Sequence, residues 1–197
     1  MRYGRWALCA IVVLGVATPC SAFNGLRKGF VLGGGLGLAP SVTLKTNAAF
    51  FKGATATHKD QTETKIGAAS NFCIGYGWDE RNLLVFEGNA SAFASSDWVG
   101  DMTVAQGYFG PVWYHYVKPT APGWFTTAGI GFYSMSFDIK NGREDENDSG
   151  FGLLGGIGYE FARHWQVSLV INGGRTSNAG FDFKHLNVET LVSTIAF

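Results

Sequence analysis

The sequence predicts an all-β fold: an eight-stranded antiparallel up-and-down transmembrane β-barrel, preceded by a cleaved signal peptide. Three observations predict it. Apolar residues recur with a period close to two over nearly all of the chain beyond residue 27. Short turns alternate strictly with longer, more polar connections. Only 15% of the 197 residues are charged while 46% are hydrophobic and 15% aromatic, against about 25% charged in an ordinary globular domain. The 28 glycines follow no Gly-X-Y period, which excludes collagen and leaves a glycine-rich packed interior.

The N-terminus divides into "MRYGR", which is basic, "WALCAIVVLGVA", which is apolar, and "TPCSA", which ends in small residues. Cys20 and Ala22 occupy the minus-three and minus-one positions of a cut before Phe23, the pattern of a secretory signal peptide. The apolar run is shorter than the about 20 residues of a spanning helix. Pro19 before Cys20 disfavours a lipoprotein signal. The expected organisation is therefore a signal peptide over 1–22 and one barrel domain over 23–197. Cleavage removes Arg2 and Arg5 but no acidic residue, which leaves a slight acidic excess and no polybasic footprint for nucleic acid. It also removes Cys9 and Cys20, so Cys73 stands alone and no intramolecular disulfide can form.

The strands are expected at Lys28–Ala39, Glu63–Trp78, Asn82–Ala94, Thr103–Val117, Gly123–Phe137, Gly150–Ala162, Trp165–Gly174 and His185–Phe197. Each is near or above the about 9–11 residues of a tilted membrane strand. In the first, Phe30, Leu32, Leu36 and Leu38 oppose Gly29, Gly33, Gly35 and Gly37. In the second, Ile66, Phe72, Ile74, Tyr76 and Trp78 oppose Lys65, Gly67, Ala69, Asn71, Gly75 and Gly77. The third sets Leu84, Phe86, Ala90 and Ala92 against Glu87, Asn89 and Ser91. The fourth, "AQGYFGPVWYHYV", has no clean phase, and Pro111 removes a ladder donor from it. The fifth follows the "KPTAPG" turn. The sixth sets Phe151, Leu153, Ile157, Tyr159 and Phe161 against Gly152, Gly156, Gly158 and Glu160, and the seventh sets Trp165, Val167, Leu169 and Ile171 against Gln166, Ser168 and Asn172. The eighth closes on Phe197.

Bulky apolar side chains on one face and small or polar ones on the other suit lipid outside and a narrow interior within. Closure pairs every strand edge, as hydrocarbon demands. The turns at Asp79, Lys118 and Arg163 are short, whereas Pro40–Thr62, Ser95–Met102, Asp138–Ser149 and Arg175–Lys184 are longer. This asymmetry is that of a bacterial outer-membrane barrel with both mature termini in the periplasm. Trp78, Tyr114, Tyr116, Trp124, Tyr159, Phe161, Trp165 and Phe197 fall beside the short turns or the terminus and are expected to form one interfacial girdle. A soluble lipocalin-like carrier is the alternative barrel; it would place its large apolar residues inside.

The glycine-led first strand, "GIGYEFARHW" and the terminal "TLVSTIAF" resemble the small Gram-negative outer-membrane β-barrel proteins of the opacity-protein and adhesin type, over essentially all of Lys28–Phe197. The resemblance implies the barrel, contact with outer-membrane lipid and lipopolysaccharide, a monomer, and a structural, adhesive or surface-contact role for the extracellular loops, with the ligand left open. Phe197 with Ile195 and Leu191 in alternation is similar to the signal read by the barrel-assembly machinery, and Ser193 departs from its apolar series.

Little in the chain suggests chemistry. An eight-stranded barrel has an interior that side chains fill, so an open pore is not expected. Glu87 and Glu160 should point inward, where they need hydrogen bonds or a basic partner. Cys73 reads as a small interior filler. "REDENDSG" at Arg143–Gly150 approximates the start of a calcium loop, but Gly156 stands where its bidentate Glu belongs, so an acidic solvated loop is expected and no metal. "GGGLG" lacks the third glycine of a dinucleotide motif and opens no helix, so no cofactor is expected. "SNAG" at Ser177–Gly180, followed by Glu189, is similar to the active-site region of the lipid A 3-O-deacylases. That likeness implies an alternative, an esterase with Ser177 as nucleophile and Glu189 orienting the base. Arg175 stands where the family has its basic residue, and a guanidinium cannot accept the serine proton. His185 is the remaining candidate base, and a non-enzymatic barrel is the favoured reading.

Overall fold

The computed structural model describes residues 27–46, 61–95, 102–139, 146–178 and 181–197. The expected signal peptide lies outside the described residues. Eight strands run β1 Gly29–Thr46, β2 Gln61–Gly77, β3 Asn82–Ser95, β4 Met102–Tyr116, β5 Gly123–Ile139, β6 Glu146–Ala162, β7 Trp165–Asn178 and β8 Phe181–Ala196. Each pairs antiparallel with the next, and β1 pairs with β8 from Leu32↔Ala196 to Thr46↔Phe183, closing the barrel. No helix among the described residues is long and apolar enough to cross a membrane; the strands make the crossing.

The two faces separate as the alternation requires. Leu36, Ile66, Phe86, Phe132, Phe151 and Leu169 are among the large apolar side chains left exposed on the outside. In water such a face would cost about 25 cal/mol for each Å² of apolar area left wet; in hydrocarbon it costs nothing of the kind. A ligand-carrying soluble barrel has the reverse arrangement, and the outward apolar face rules that alternative out.

β1, β6, β7 and β8 run furthest beyond the bounds that the alternation suggests. β1 continues past Pro40 to Thr46 because a bulge between Ala39 and Val42 absorbs the residue that cannot donate to the ladder. β6 begins at Glu146, so Asn147, Ser149 and Gly150 belong to a strand and not to a solvated loop. Arg143 to Asp145 lie outside the described residues. β7 runs to Asn178 and β8 starts at Phe181, which puts Ser177 and Asn178 of "SNAG" in paired strand opposite Asp182 and Phe181. Backbone pairing continues into these segments because polar residues in a two-stranded ladder hydrogen-bond as readily as apolar ones.

β4 resolves the phase that its sequence hides. Val104, Gln106, Tyr108, Val112, Tyr114 and Tyr116 are buried inside, while Phe109 and Trp113 face outward. Pairing with β5 stops at Phe109↔Phe132 and resumes at Val112↔Gly129, leaving Pro111 without a partner on that side. Tyr114, Tyr116 and Phe197 therefore do not belong to the outer girdle; they are 3%, 0% and 3% exposed in the interior. Trp78, Trp124, Phe161 and Trp165 remain on the outer face.

Glycine makes room for these rings. At Gly174 an added Cβ would lie 2.5 Å from Tyr133 Cβ, and at Gly158 it would overlap the Phe125 ring. The inward glycines are thus the floor on which an aromatic column rests. Tyr114, Tyr116 and Phe125 pack with centroids 5.0–6.5 Å apart.

Candidate functional site

The interior is the one place where the described residues concentrate polar chemistry, and it is organised in three levels. At the end that carries the short turns, Arg27 enters just ahead of β1. Its guanidinium forms a buried ion pair with Glu160 of β6. It also donates to the carbonyls of Lys118 at 2.6 Å and Glu80 at 3.3 Å, and lies 3.9 Å from the centroid of Tyr116. The Phe197 ring stands 6.0 Å away on another side. One side chain therefore ties the N-terminal approach to the turns at 78–81 and 117–122 and to β6. The third turn joins through Glu160 itself, which accepts from the His164 backbone N–H at 3.4 Å. His164 has φ of 70°, and its Nδ1 donates to the Ile195 carbonyl at 2.8 Å, anchoring the last strand beside that turn.

The middle level is built on Glu87 of β3. It accepts from Tyr114 Oη at 2.6 Å, from Asn89 Nδ2 at 2.8 Å and from Asn71 Nδ2 at 3.4 Å. These donors are neutral, so Glu87 meets its desolvation cost through hydrogen bonds, whereas Glu160 meets it with a cation. Cys73 is buried opposite Glu87 in register, as a small filler. Below, Tyr116 Oη donates to Gln166, whose amide donates to Ser193.

Towards the other end a continuous network joins β4, β5, β7 and β8. Gln106 Oε1 accepts from His185 Nδ1 at 2.8 Å. His185 Nε2 shares a hydrogen bond of 2.9 Å with Thr176 Oγ1, a hydroxyl that can donate or accept. The Tyr133 ring stacks on His185 with centroids 4.8 Å apart. Asn187 donates to Tyr133 Oη and, at 3.2 Å, to Asn172 Oδ1; Asn172 in turn donates to Glu189 at 2.8 Å.

This geometry places the three residues of the esterase alternative. His185 and Glu189 both face inward on β8 and are buried; His185 is held by Thr176 and Gln106, and Glu189 by Asn172. The backbone of Ser177 pairs with Asp182, one residue beyond inward Thr176. No group of three or more His, Cys, Asp or Glu among the described residues is placed to hold a metal.

Sequence reasoning located Glu87 and Glu160 but missed Arg27, the cation that meets Glu160, and Gln106, Tyr133 and Asn187, which build the separate network around His185 and Asn172. Arg27 carries no periodic signal because it precedes the first strand. The inward set of β4 had a signal, the even-numbered run Tyr108, Tyr114 and Tyr116, but Phe109 and Trp113 on the odd positions masked it.

The model of the outer membrane protein beta-barrel domain matches residues 8–192. No curated protein sequence matches this chain. Among solved structures, Neisserial surface protein A (NspA) superposes with a TM-score of 0.53 at 10% identity, covering 85% of this chain and 97% of that one. OprG from Pseudomonas aeruginosa gives 0.47 at 13% identity, over 88% and 96%. Ail of Yersinia pestis, solved with the heparin analogue sucrose octasulfate, gives 0.48 at 6% identity, over 84% and 99%. At such identities NspA shows a shared fold alone. With the family match spanning nearly all of the barrel and an outer face suited to lipid, the chain belongs to the outer membrane protein β-barrel domain family and is a protein of the outer membrane.

Proposed function

We propose that this barrel acts at its surface, through a structural, adhesive or contact role of its extracellular connections with a partner outside the cell. The observation that carries the reading is the filled interior. Ion pair, aromatic column and polar network follow one another from the Arg27 end to the Thr176 end, so the lumen serves rigidity. A rigid barrel is a scaffold, and variable contact chemistry on such a scaffold belongs to its loops. The connection at 47–60 is longer than any turn at the opposite end, those at 96–101 and 140–145 equal the longest of those turns, and all three suit that role.

A monomer that reaches the membrane through the barrel-assembly machinery is part of the same reading. Leu191, Ile195 and Phe197 are 0%, 1% and 3% exposed in the closed barrel. A terminal signal carried by these residues is legible only before β8 closes on β1.

The test replaces 47–60 and 140–145 by short Gly-Ser turns. Folding is checked by heat-modifiable gel mobility. Adhesion of expressing cells to immobilised extracellular-matrix protein and their resistance to detergent are then measured. Loss of either supports the reading; a folded variant with both unchanged overturns it.

A further inference from the structure

Between the Glu87 level and the His185 network, the lumen is bordered by oxygen atoms in unusual number. Asn71 and Asn89, paired in register across β2 and β3, both turn their amide nitrogens to Glu87 Oε1. Their carbonyl ends are left pointing away from that carboxylate oxygen. Asn71 Oδ1, Asn89 Oδ1, Ser91 Oγ, Asn187 Oδ1 and Glu189 Oε2 are all shut off from solvent, and none meets a hydrogen-bond partner among the described residues. Asn89, Ser91, Asn187 and Glu189 are each no more than 1% exposed. Buried polar atoms are ordinarily paired, so such a concentration calls for a ligand.

The five oxygens border one space. Its roof is the meeting of β4 and β8 across the lumen, where Gln106 bonds His185 at 2.8 Å and Tyr133 Oη takes the Asn187 amide. Ser91 is the register partner of Gln106, and Asn187 is the next inward position after His185, so both adjoin that roof. Asn89 and Glu189 occupy the inward positions that follow Ser91 and Asn187 towards the short turns. The floor is Glu87 with its donors Tyr114, Asn89 and Asn71. Between β8 and β3, the register runs Leu191↔Gly37, Gly37↔Ala69 and Ala69↔Ser91, so β1 and β2 place nothing bulkier than a methyl group there. Asn71 Oδ1 leans over Gly35, 2.8 Å from where a β-carbon would stand, and so towards the β8 side.

From this juxtaposition we infer that the lumen binds one monovalent metal cation, sodium or potassium, with Glu189 Oε2 supplying the negative charge and Asn71, Asn89, Ser91 and Asn187 the neutral oxygens. Carboxylate, amide and hydroxyl oxygens are hard ligands and do not favour soft metals. One carboxylate oxygen is uncommitted, because both Glu87 oxygens and Glu189 Oε1 already accept donors, so a single positive charge balances the set. Arg27 is engaged by Glu160, and Lys65 stands on β2 six residues from Asn71, about 20 Å along the strand. Gln106 Nε2, the unpartnered donor at the roof, is one amide against five oxygens. Water would supply donors but no charge, and a carboxylate out of bulk water needs both. The cation enters before β8 closes on β1 and then serves as part of the filled interior, whatever the loops contact.

The experiment is reversible urea unfolding of the full chain in lipid vesicles, in sodium, potassium or choline chloride at one ionic strength and one pH. A cation held by the folded state alone raises the folded-to-unfolded ratio about tenfold for each tenfold rise in its concentration above the dissociation constant. The native midpoint should therefore climb when sodium or potassium replaces choline, which is too large for the space. Glu189→Gln should remove that dependence, whereas Asp79→Asn, which deletes a carboxylate from an outer turn, should keep it. A native midpoint equal in all three salts overturns the site, as does a Glu189→Gln variant with the native dependence. Crystals of the native chain grown with thallium(I), a heavy stand-in for potassium, give a readout that needs no variant to fold. An anomalous peak among Glu189, Asn187 and Asn89 supports the site; water alone at that place overturns it.

Discussion

Arg27 shows how much one side chain can hold. Its guanidinium is buried against Glu160, two turn carbonyls and the Tyr116 ring, so removing it strands a carboxylate in a space closed to water. Breaking a buried pair by deleting one partner costs about 3–5 kcal/mol, whereas replacing both with apolar groups of similar volume is often neutral. Arg27→Ala should therefore lower stability to urea in lipid vesicles by about that much, and Arg27→Met/Glu160→Leu should recover most of it. A single variant as stable as the native protein would show that the pair contributes nothing to closure. Asp79, partly exposed in the first turn, makes a smaller contribution of known sign. Its pKa is held below the usual 3.8, first by the Asn82 side-chain amide and then by the Arg81 backbone N–H. A group with a lowered folded pKa stabilises fully above its unfolded value, and that stabilisation is lost as pH falls through the folded one. Stability should thus decline as pH drops below about 4, and Asp79→Asn should flatten that part of the profile. An unchanged slope would mean that the turn is not held by the carboxylate.

At the scale of elements, legibility followed the chemistry of each face. β7 was readable because Trp165, Val167, Leu169 and Ile171 alternate with small or polar residues, and lipid rewards that alternation directly. β4 was not, because both of its faces carry aromatics: one set is held by lipid, the other by hydroxyl partners such as Glu87 and Gln166 and by glycines on neighbouring strands. No property of β4 alone distinguishes the two sets. The ends of β1, β6, β7 and β8 were hidden for a related reason. Outside hydrocarbon the ladder continues without apolar alternation, so composition marks the edge of the membrane and not the end of the strand. Leu169, mid-strand on β7 and exposed to lipid, tests this view of the wall. Leu169→Arg should cost about 2–4 kcal/mol, the penalty for a cation near the bilayer midplane. The measurement is the urea midpoint in vesicles. A negligible cost would place Leu169 outside the hydrocarbon.

For the whole molecule, the sequence carried the architecture and the sign of both faces but not the interior contacts, because those join residues far apart in the chain. Arg27 meets Glu160, and Gln106 meets His185, across distances of chain that no local pattern encodes. The esterase alternative shows the same limit from the other side, since Ser177 and His185 are near in sequence yet the His185 ring is engaged by Thr176 and Gln106. What this interior does can be read from its filling. A conducting barrel needs a continuous wet path, and an eight-stranded barrel has room only for side chains. Here Tyr108, Tyr116, Tyr133 and Phe125 are each no more than 2% exposed, and the end bearing the short turns is crossed by the Arg27–Glu160 pair. Native protein in a planar lipid bilayer should consequently show no steady open-channel current. Removing the cross-piece alone, as in Arg27→Ala, should still leave the bilayer non-conducting, because the aromatic column lies beyond it. A steady ohmic current from the native protein would show that the column opens on the timescale of the recording, and the lumen would then have to be counted among the working surfaces of the molecule.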